Sequence, residues 1–298
     1  MVVGIEAVPA AGVFGAHVRG VDLSCSLGEH EIDAIKDLID EFAVLHFPEQ
    51  ELSEDAQVEF SSFFGPVQTS ISVARPGESR RFKREDVSDI SNVGEGGKPL
   101  EAGHMRRRLQ LANQLWHTDN SFREPSGGYT FLFARAVPVS AGETEFADSR
   151  AAFDRLDADV QRRVEELRIF HSLSRSRAIV HGPPLSAEES RQFPGKVQPL
   201  VLTTSNGRKS LYAGSHADHV VGLDRDEGRD LLNDLNDTIT DSRFTYSHSW
   251  AVGDLVMWDN RATLHRGRPF DESRNLRDLR RTTVAYIDKS DAKLPIEA

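Results

Sequence analysis

Phe244-Thr-Tyr-Ser-His-Ser-Trp250, Asp254-Leu-Val-Met-Trp258 and Ala262-Thr-Leu-His-Arg-Gly267 follow one another closely, three short runs rich in aromatic and β-branched residues. Such residues fit a pleated, half-buried surface, so each run predicts a strand. Val252-Gly253-Asp254 between the first two predicts a hairpin turn. Working outward, the same signature recurs in Tyr129–Val137, Glu143–Ala147, Val197–Thr204, Ser210–Gly214 and Arg280–Ile287.

Helical patterns sit at the start of the chain and between the strands. Ser26-Leu27-Gly28-Glu29 fits a capping box, and Ile32, Ile35, Leu38, Ile39 and Phe42 follow at helical spacing. Ala43 to Phe47 predicts a strand. Ser53 is placed to cap a second helix, which Gly65-Pro66 ends. Residues 149–170 and the stretch after Asp224 predict helical inserts. Residues 68–110 are polar and rich in Gly, Arg and Ser, which predicts a long loop with one short strand near Asp89–Val93; loops of that length often act as lids or binding loops. Many short strands with helices at the start and in insertions predict a mainly β chain with a double-sheet core of the jelly-roll or cupin type.

Composition narrows the functions. The chain has 298 residues, enough for one large β-rich domain or two smaller ones. A formal net charge of −11 argues against nucleic acid, whose binding depends on neutralising phosphates. No run approaches the ~18 apolar residues that a membrane span needs. Met1 to Ala10 lacks a basic segment followed by an apolar one and does not read as a signal peptide. Cys25 is the only cysteine, which excludes an internal disulfide and fits a cytoplasmic protein. Arg106-Arg107-Arg108 reads as a solvated face or a set of surface ion pairs.

Chemistry enters at Trp116-His117-Thr118-Asp119. On an extended segment residues i and i+2 point the same way, so a His nitrogen and a carboxylate oxygen could reach one ion. Two His and one carboxylate on one face of an octahedron are the ligand set of non-haem Fe(II) oxygenases. The tripeptide alone is weak, and the chain offers 11 histidines for the third position. His265 is the best candidate, because it follows the buried-looking strand Asp254–Trp258 and begins a second arginine-rich run.

These segments resemble the taurine/2,4-dichlorophenoxyacetate dioxygenase family of Fe(II)- and 2-oxoglutarate-dependent enzymes. The resemblance covers nearly the whole chain. It is carried by Asp89-Ile-Ser-Asn-Val93, Asn113-Gln-Leu-Trp-His-Thr-Asp119, Ala141-Gly-Glu-Thr-Glu-Phe146, Gly207-Arg-Lys-Ser-Leu-Tyr212, Gly253-Asp-Leu-Val-Met-Trp-Asp-Asn260, Leu264-His-Arg-Gly267 and Arg277-Asp-Leu-Arg-Arg-Thr-Thr283. The blocks look closest to the 2,4-dichlorophenoxyacetate, or aryloxyalkanoate, branch.

The resemblance implies one domain over 1–298 with a double-stranded β-helix core. It implies His117, Asp119 and His265 as metal ligands, Thr144 and Arg277 on the distal carboxylate of 2-oxoglutarate, and Arg281 facing the anionic group of the primary substrate. Arg277 and Arg281 are four apart, so on a strand they share a face about 13 Å apart, suited to two anions. Arg274 and Arg280 are expected to face solvent. His216, His219 and Lys98 match or flank positions of the substrate pocket, while residues 68–84 match the branch poorly. Trp116 and Phe122 are expected to pack near the metal.

The implied cofactors are Fe(II), 2-oxoglutarate and O2, and the implied partner is a small anionic organic substrate, with a homo-oligomer expected. The implied reaction couples oxidative decarboxylation of 2-oxoglutarate to hydroxylation. On an aryloxyacetate, hydroxylation beside the ether oxygen gives a hemiacetal that collapses to a phenol and glyoxylate. The competing readings are the same chemistry on a sulfonate or other organic acid, and a cupin-like metal-binding protein without turnover.

Overall fold

The computed structural model describes residues 4–11, 14–75 and 80–287. Met1–Val3 of the Met1–Ala10 segment, residues 76–79 of the 68–84 segment and residues 288–298 of the expected domain lie outside the described residues.

Two antiparallel strands open the chain, β1 (Glu6–Ala11) and β2 (Phe14–Arg19). Helix α1 (Glu29–Phe42) follows, then β3 (Val44–Phe47) and α2 (Glu54–Ser62). The cap of α1 is Gly28 rather than Ser26: the Gly28 N–H donates to Glu31 Oε2 at 2.8 Å. Ser53 caps α2 as its sequence requires, its hydroxyl accepting from the Ala56 N–H at 3.0 Å. Residues 68–110 hold more than one strand. Short 3-10 turns flank β4 (Ser88–Ser91), and α3 (Met105–Gln110) closes the segment.

That segment is pinned from within. Arg106 donates to the Asp89 carboxylate and, at 2.6 Å, to the Val93 carbonyl. Arg107 bonds the Leu100 carbonyl at 3.0 Å and pairs with Glu272 at 2.6 Å. The first two arginines of the basic run are therefore half-buried ties, and Arg108 alone of the three is exposed.

The strand-rich part begins with β5 (Gly127–Ala136) and β6 (Thr144–Asp148). The expected 149–170 helix resolves into α4 (Ser149–Asp154), α5 (Ala158–Glu165) and the start of β7 (Arg168–His171). Then come α6 (Leu173–Ile179), α7 (Ala187–Gln192), β8 (Lys196–Pro199), β9 (Val201–Thr203), β10 (Lys209–Leu211), β11 (Ala217–Val220) and α8 (Arg225–Ile239). The chain ends on β12 (Thr245–His248), β13 (Leu255–Asp259), β14 (Thr263–Gly267) and β15 (Asp278–Ala285).

A seven-stranded sheet runs β1-β2-β3-β13-β5-β15-β4, and a three-stranded sheet runs β12-β6-β14. The Val252–Asp254 turn is present, with Gly253 at a positive φ of 89°, but it joins two sheets and makes no hairpin.

Alternation along the strands separates two faces of the large sheet. Phe131, Phe133, Leu255, Met257 and Val284 point to one side and bury against Ile35, Ile39 and Phe42 of α1 and Phe60 of α2. Each such side chain contributes about 1.5–3 kcal/mol on burial. Leu132, Val256, Trp258 and Leu279 point to the other side, where they meet Phe146 of the small sheet. No helix among the described residues is long and apolar enough to cross a membrane.

One expectation fails here. Arg280 does not face solvent; it is buried, with Nε donating to Gln57 Oε1 at 2.7 Å and Nη2 to the Leu52 carbonyl at 2.8 Å. It stands on the face of β15 opposite Arg281, and α2 covers that face. Arg274 is exposed, as its sequence context predicts.

Candidate metal centre and its two anion pockets

His117 and His265 lie opposite each other in a two-residue antiparallel bridge. Each backbone N–H donates to the other's carbonyl, at 3.0 and 2.8 Å. This pairing joins the segment after the loop to β14 and sets the rings 4.2 Å apart. Asp119 then falls between them. Its Oδ1 is 3.9 Å from His117 Nε2 and its Oδ2 is 3.7 Å from His265 Nε2. One donor atom from each residue falls within 4.8 Å of the others, and all three residues are buried.

The surroundings prepare these donors. His117 Nδ1–H donates to the Leu115 carbonyl at 2.7 Å, which leaves Nε2 as the bare nitrogen. Burial lowers the pKa of both imidazoles, so both rings are neutral and could offer a lone pair to a metal ion. Burial raises the Asp119 pKa, but Arg281, His265, His117 and the Thr130 hydroxyl outweigh it and bring it to about 2. Asp119 accepts from Thr130 Oγ1 at 2.9 Å and from Arg281 Nη1 at 2.6 Å.

Asn260, which sequence reasoning did not single out, organises this network. Its Oδ1 accepts from the Asp119 backbone N–H and from Trp258 Nε1, both at 3.1 Å, and its Nδ2 donates to Thr130 Oγ1 at 2.9 Å. The Thr118 hydroxyl closes the ring on the Asn260 carbonyl at 2.7 Å. The available signal was the position of Asn260 at the end of an apolar strand, where a polar side chain must find buried partners.

Two hollows flank the triad. The larger, about 1020 Å³ including its open mouth, has His117, Asp119, His216 and Arg281 in its wall. Ile71, Phe82, Ile90, Leu109, Phe122 and Leu173 give it an apolar side, and Arg80, Arg81, Asp89, Arg106 and Asn120 are among the polar residues in the rest of the wall. Arg281 keeps a buried Nε without a hydrogen-bond partner, and so does His216 Nδ1. Burial takes the His216 pKa to about 3, so that ring is neutral. Arg75 and Arg177 close one side of the hollow through Glu189 of α7, at 2.9 and 2.6 Å.

The smaller hollow, about 470 Å³, contains Asn92, Asn113 and Arg277 and shares Ile90, Gln110 and Asn113 with the larger. Arg277 Nη2 donates to Thr144 Oγ1 at 3.2 Å and Nε to the Gly142 carbonyl at 3.2 Å. Trp250 Nε1 donates to the same Thr144 hydroxyl at 3.0 Å. Burial lowers the Arg277 pKa to about 10 against the opposing charge of Glu272. Arg277 makes no ion pair among the described residues. A half-buried guanidinium without a carboxylate partner gains when an anion completes it.

Two expected substrate residues stand elsewhere. Lys98 is exposed and lines a shallow surface hollow with Gly94 and His104. His219, on β11, pairs with Asp218 at 2.8 Å and packs on Phe170. Neither lines either hollow beside the triad. Phe122 does pack there, 4.8 Å from the His216 ring, while Trp116 lies under the Arg266 guanidinium.

Comparison with known proteins extends the picture. A family profile described as "Taurine catabolism dioxygenase TauD, TfdA family" matches residues 6–283. The chain is 43% identical over 281 residues to an "Alpha-ketoglutarate-dependent 2,4-dichlorophenoxyacetate dioxygenase" of Cupriavidus pinatubonensis, covering 94% of this chain and 97% of that one. It is 40% identical over 273 residues to a protein of the same name from Burkholderia sp. strain RASC, covering 91% of each. A crystal structure of "AAD-2 in complex with Mn(II) and N-oxalylglycine" superposes with a TM-score of 0.86 at 38% identity, over 96% of this chain and 98% of that one.

Proposed function

This chain belongs to the taurine catabolism dioxygenase TauD, TfdA family, and from that premise we propose that it hydroxylates an aryloxyacetate such as 2,4-dichlorophenoxyacetate, releasing a phenol and glyoxylate. It is an Fe(II)- and 2-oxoglutarate-dependent dioxygenase that acts on a small anionic organic substrate. The proposal also takes the core as a double-stranded β-helix, the 298 residues as one catalytic domain, and the working protein as a cytoplasmic homo-oligomer; sedimentation equilibrium tests the last.

The observation that carries the reading is the position of the buried Asp119 carboxylate between two neutral imidazoles and Arg281, at the end of a hollow with polar and apolar sides. Two imidazoles and one carboxylate fit Fe(II) and leave open positions on it. In this reading His117, Asp119 and His265 hold the iron. When bound, the iron would activate O2 as the oxidant, with two electrons coming from 2-oxoglutarate as it becomes succinate and CO2 and two from the substrate C–H bond.

The chain's own residues supply placement. Arg277 and Thr144 hold the distal carboxylate of 2-oxoglutarate in the smaller hollow, where the half-buried guanidinium gains the anion it lacks. Arg281 orients Asp119 and offers its buried Nε to the substrate carboxylate. His216, neutral, adds a second polar contact through Nδ1. Ile71, Phe82 and Phe122 receive an aromatic ring and exclude water. The Ile71, Phe82 and Phe122 side of the hollow offers an aryl acid an apolar surface that a small sulfonate would leave unused.

Anaerobic Fe(II) with 2-oxoglutarate tests the site. A weak visible charge-transfer band is expected, lost in His117→Ala; no band in the wild-type protein rejects the assignment.

A further inference from the structure

We propose that a second divalent-cation site, distinct from the His117 triad, lies where β3 meets β12, formed by His46, His248 and Asp254 for a transition metal of the Zn2+ class. Three separate parts of the chain deliver it. His46 lies on β3, at the centre of the large sheet's register with β13. His248 ends β12 in the small sheet, and Asp254 sits in the turn between β12 and β13. His248 and Asp254 are buried, while the His46 side chain keeps 13% exposure, which leaves an entry path.

The donor atoms converge on one carboxylate. His46 Nε2 is 2.9 Å from Asp254 Oδ1, and His248 Nε2 is 3.1 Å from Asp254 Oδ2. The two rings stand 4.5 Å apart, and one donor atom from each residue lies within 4.8 Å of the others. At metal–ligand lengths of about 2.0–2.2 Å, ligand atoms stand about 3 Å apart at right angles and about 3.3–3.6 Å apart in a tetrahedral site. The two nitrogen–oxygen distances match the first spacing and would open by a few tenths of an ångström to reach the second.

The His46 contact supports a cation on different grounds. His46 Nε2 lies buried 2.9 Å from Asp254 Oδ1 in a contact that lacks aligned hydrogen-bond geometry. The outer nitrogens are already engaged. His46 Nδ1 is 2.8 Å from His17 Nδ1, and Tyr246 Oη is 3.3 Å from His248 Nδ1. In the tautomer whose Nδ1–H donates to His17, Nε2 presents a bare lone pair beside the carboxylate, an arrangement that a cation completes; in the other tautomer a cation takes the place of the Nε2 proton. Partners on the far nitrogen are how proteins orient and polarise metal-binding histidines. Two imidazoles with a carboxylate suit Zn2+, Co2+ or Cu2+ rather than Mg2+ or Ca2+. A cation there would tie the large sheet to the small one.

The test disables the first centre and titrates the second. Apo protein carrying His117→Ala and His265→Ala is titrated with Co2+ and Zn2+ by calorimetry and, for Co2+, by visible absorption. About one equivalent is expected to bind, weakened by more than about tenfold on adding His46→Gln or His248→Gln. As a folding control, His46→Gln alone should keep the anaerobic Fe(II)/2-oxoglutarate band of the wild-type protein. No equivalent in the His117→Ala/His265→Ala background, or binding that survives both glutamine changes, overturns the proposal. Anomalous scattering at the zinc edge from crystals of wild-type protein soaked in Zn2+ needs no variant. A peak among His46, His248 and Asp254 supports the site, and peaks confined to other places reject it.

Discussion

Arg281 Nη1 lies 2.6 Å from Asp119 Oδ1, so one guanidinium touches the carboxylate between the two histidines while its Nε remains buried and unpaired. Arg281 is thus placed both to hold Asp119 in orientation and to receive an anion beside the metal. Replacing it with alanine removes a charge-assisted contact to substrate, worth about 1.5–3 kcal/mol, so KM for an anionic substrate should rise about 10- to 150-fold. KM for 2-oxoglutarate should change far less. Steady-state kinetics in each substrate separate the two effects, and equal losses in both would contradict this division of labour.

Arg277 and Thr144 form the complementary pair in the other hollow. Arg277→Leu should weaken 2-oxoglutarate binding by about 2–3 kcal/mol, and Thr144→Val by about 1 kcal/mol, since the hydroxyl is neutral. Anaerobic titration of the Fe(II)/2-oxoglutarate band measures both. Unchanged affinity in Arg277→Leu would move the cosubstrate to another pocket.

Glu189 bonds both Arg177 and Arg75, which ties α6 and α7 to the wall of the larger hollow. Burial works against its charge, but Arg177, the Ser186 backbone N–H and Arg75 bring its pKa down to about 2. A carboxylate whose folded pKa is lowered contributes stability above its unfolded pKa of 4.5, lost as the pH falls towards 2. Glu189→Gln should cost on the order of 3 kcal/mol at neutral pH and flatten the acid limb of the stability curve. Urea unfolding across that range reads both.

Arg280 and Arg274 offer a test of burial. Arg280→Ala strands the Gln57 side chain and two backbone carbonyls and should destabilise the fold by about 2–4 kcal/mol. Arg274→Ala, at an exposed position, should stay within about 0.5 kcal/mol of wild type. Chemical denaturation of the two variants gives the contrast.

What the sequence made legible follows the range of the interactions involved. Local composition revealed the strands around Tyr129–Val137 and Phe244–Gly267, and the i, i+2 spacing paired His117 with Asp119. Partners across the chain were not legible from spacing. His265 meets His117 through backbone pairing between distant segments; its place after an apolar strand made it a candidate, and the matched sequence blocks singled it out. The Val252–Asp254 turn has hairpin chemistry, yet the strands on either side belong to different sheets, which no turn residue encodes. Alternation on β15 put Arg280 opposite Arg281 but could not say that α2 covers that face. Lys98 and His219 were misplaced because the paths of their segments depend on contacts elsewhere, such as the Arg106 and Arg107 ties in the loop. Asn260 was overlooked because two of its three buried partners, Asp119 and Thr130, lie far away in the chain.

The most direct test of the central claim is product formation from 2,4-dichlorophenoxyacetate under air with Fe(II) and 2-oxoglutarate. The account predicts 2,4-dichlorophenol and succinate in equal amounts, with both lost in Asp119→Ala. Succinate released at the same rate with and without the aryloxyacetate, and no phenol, would contradict it.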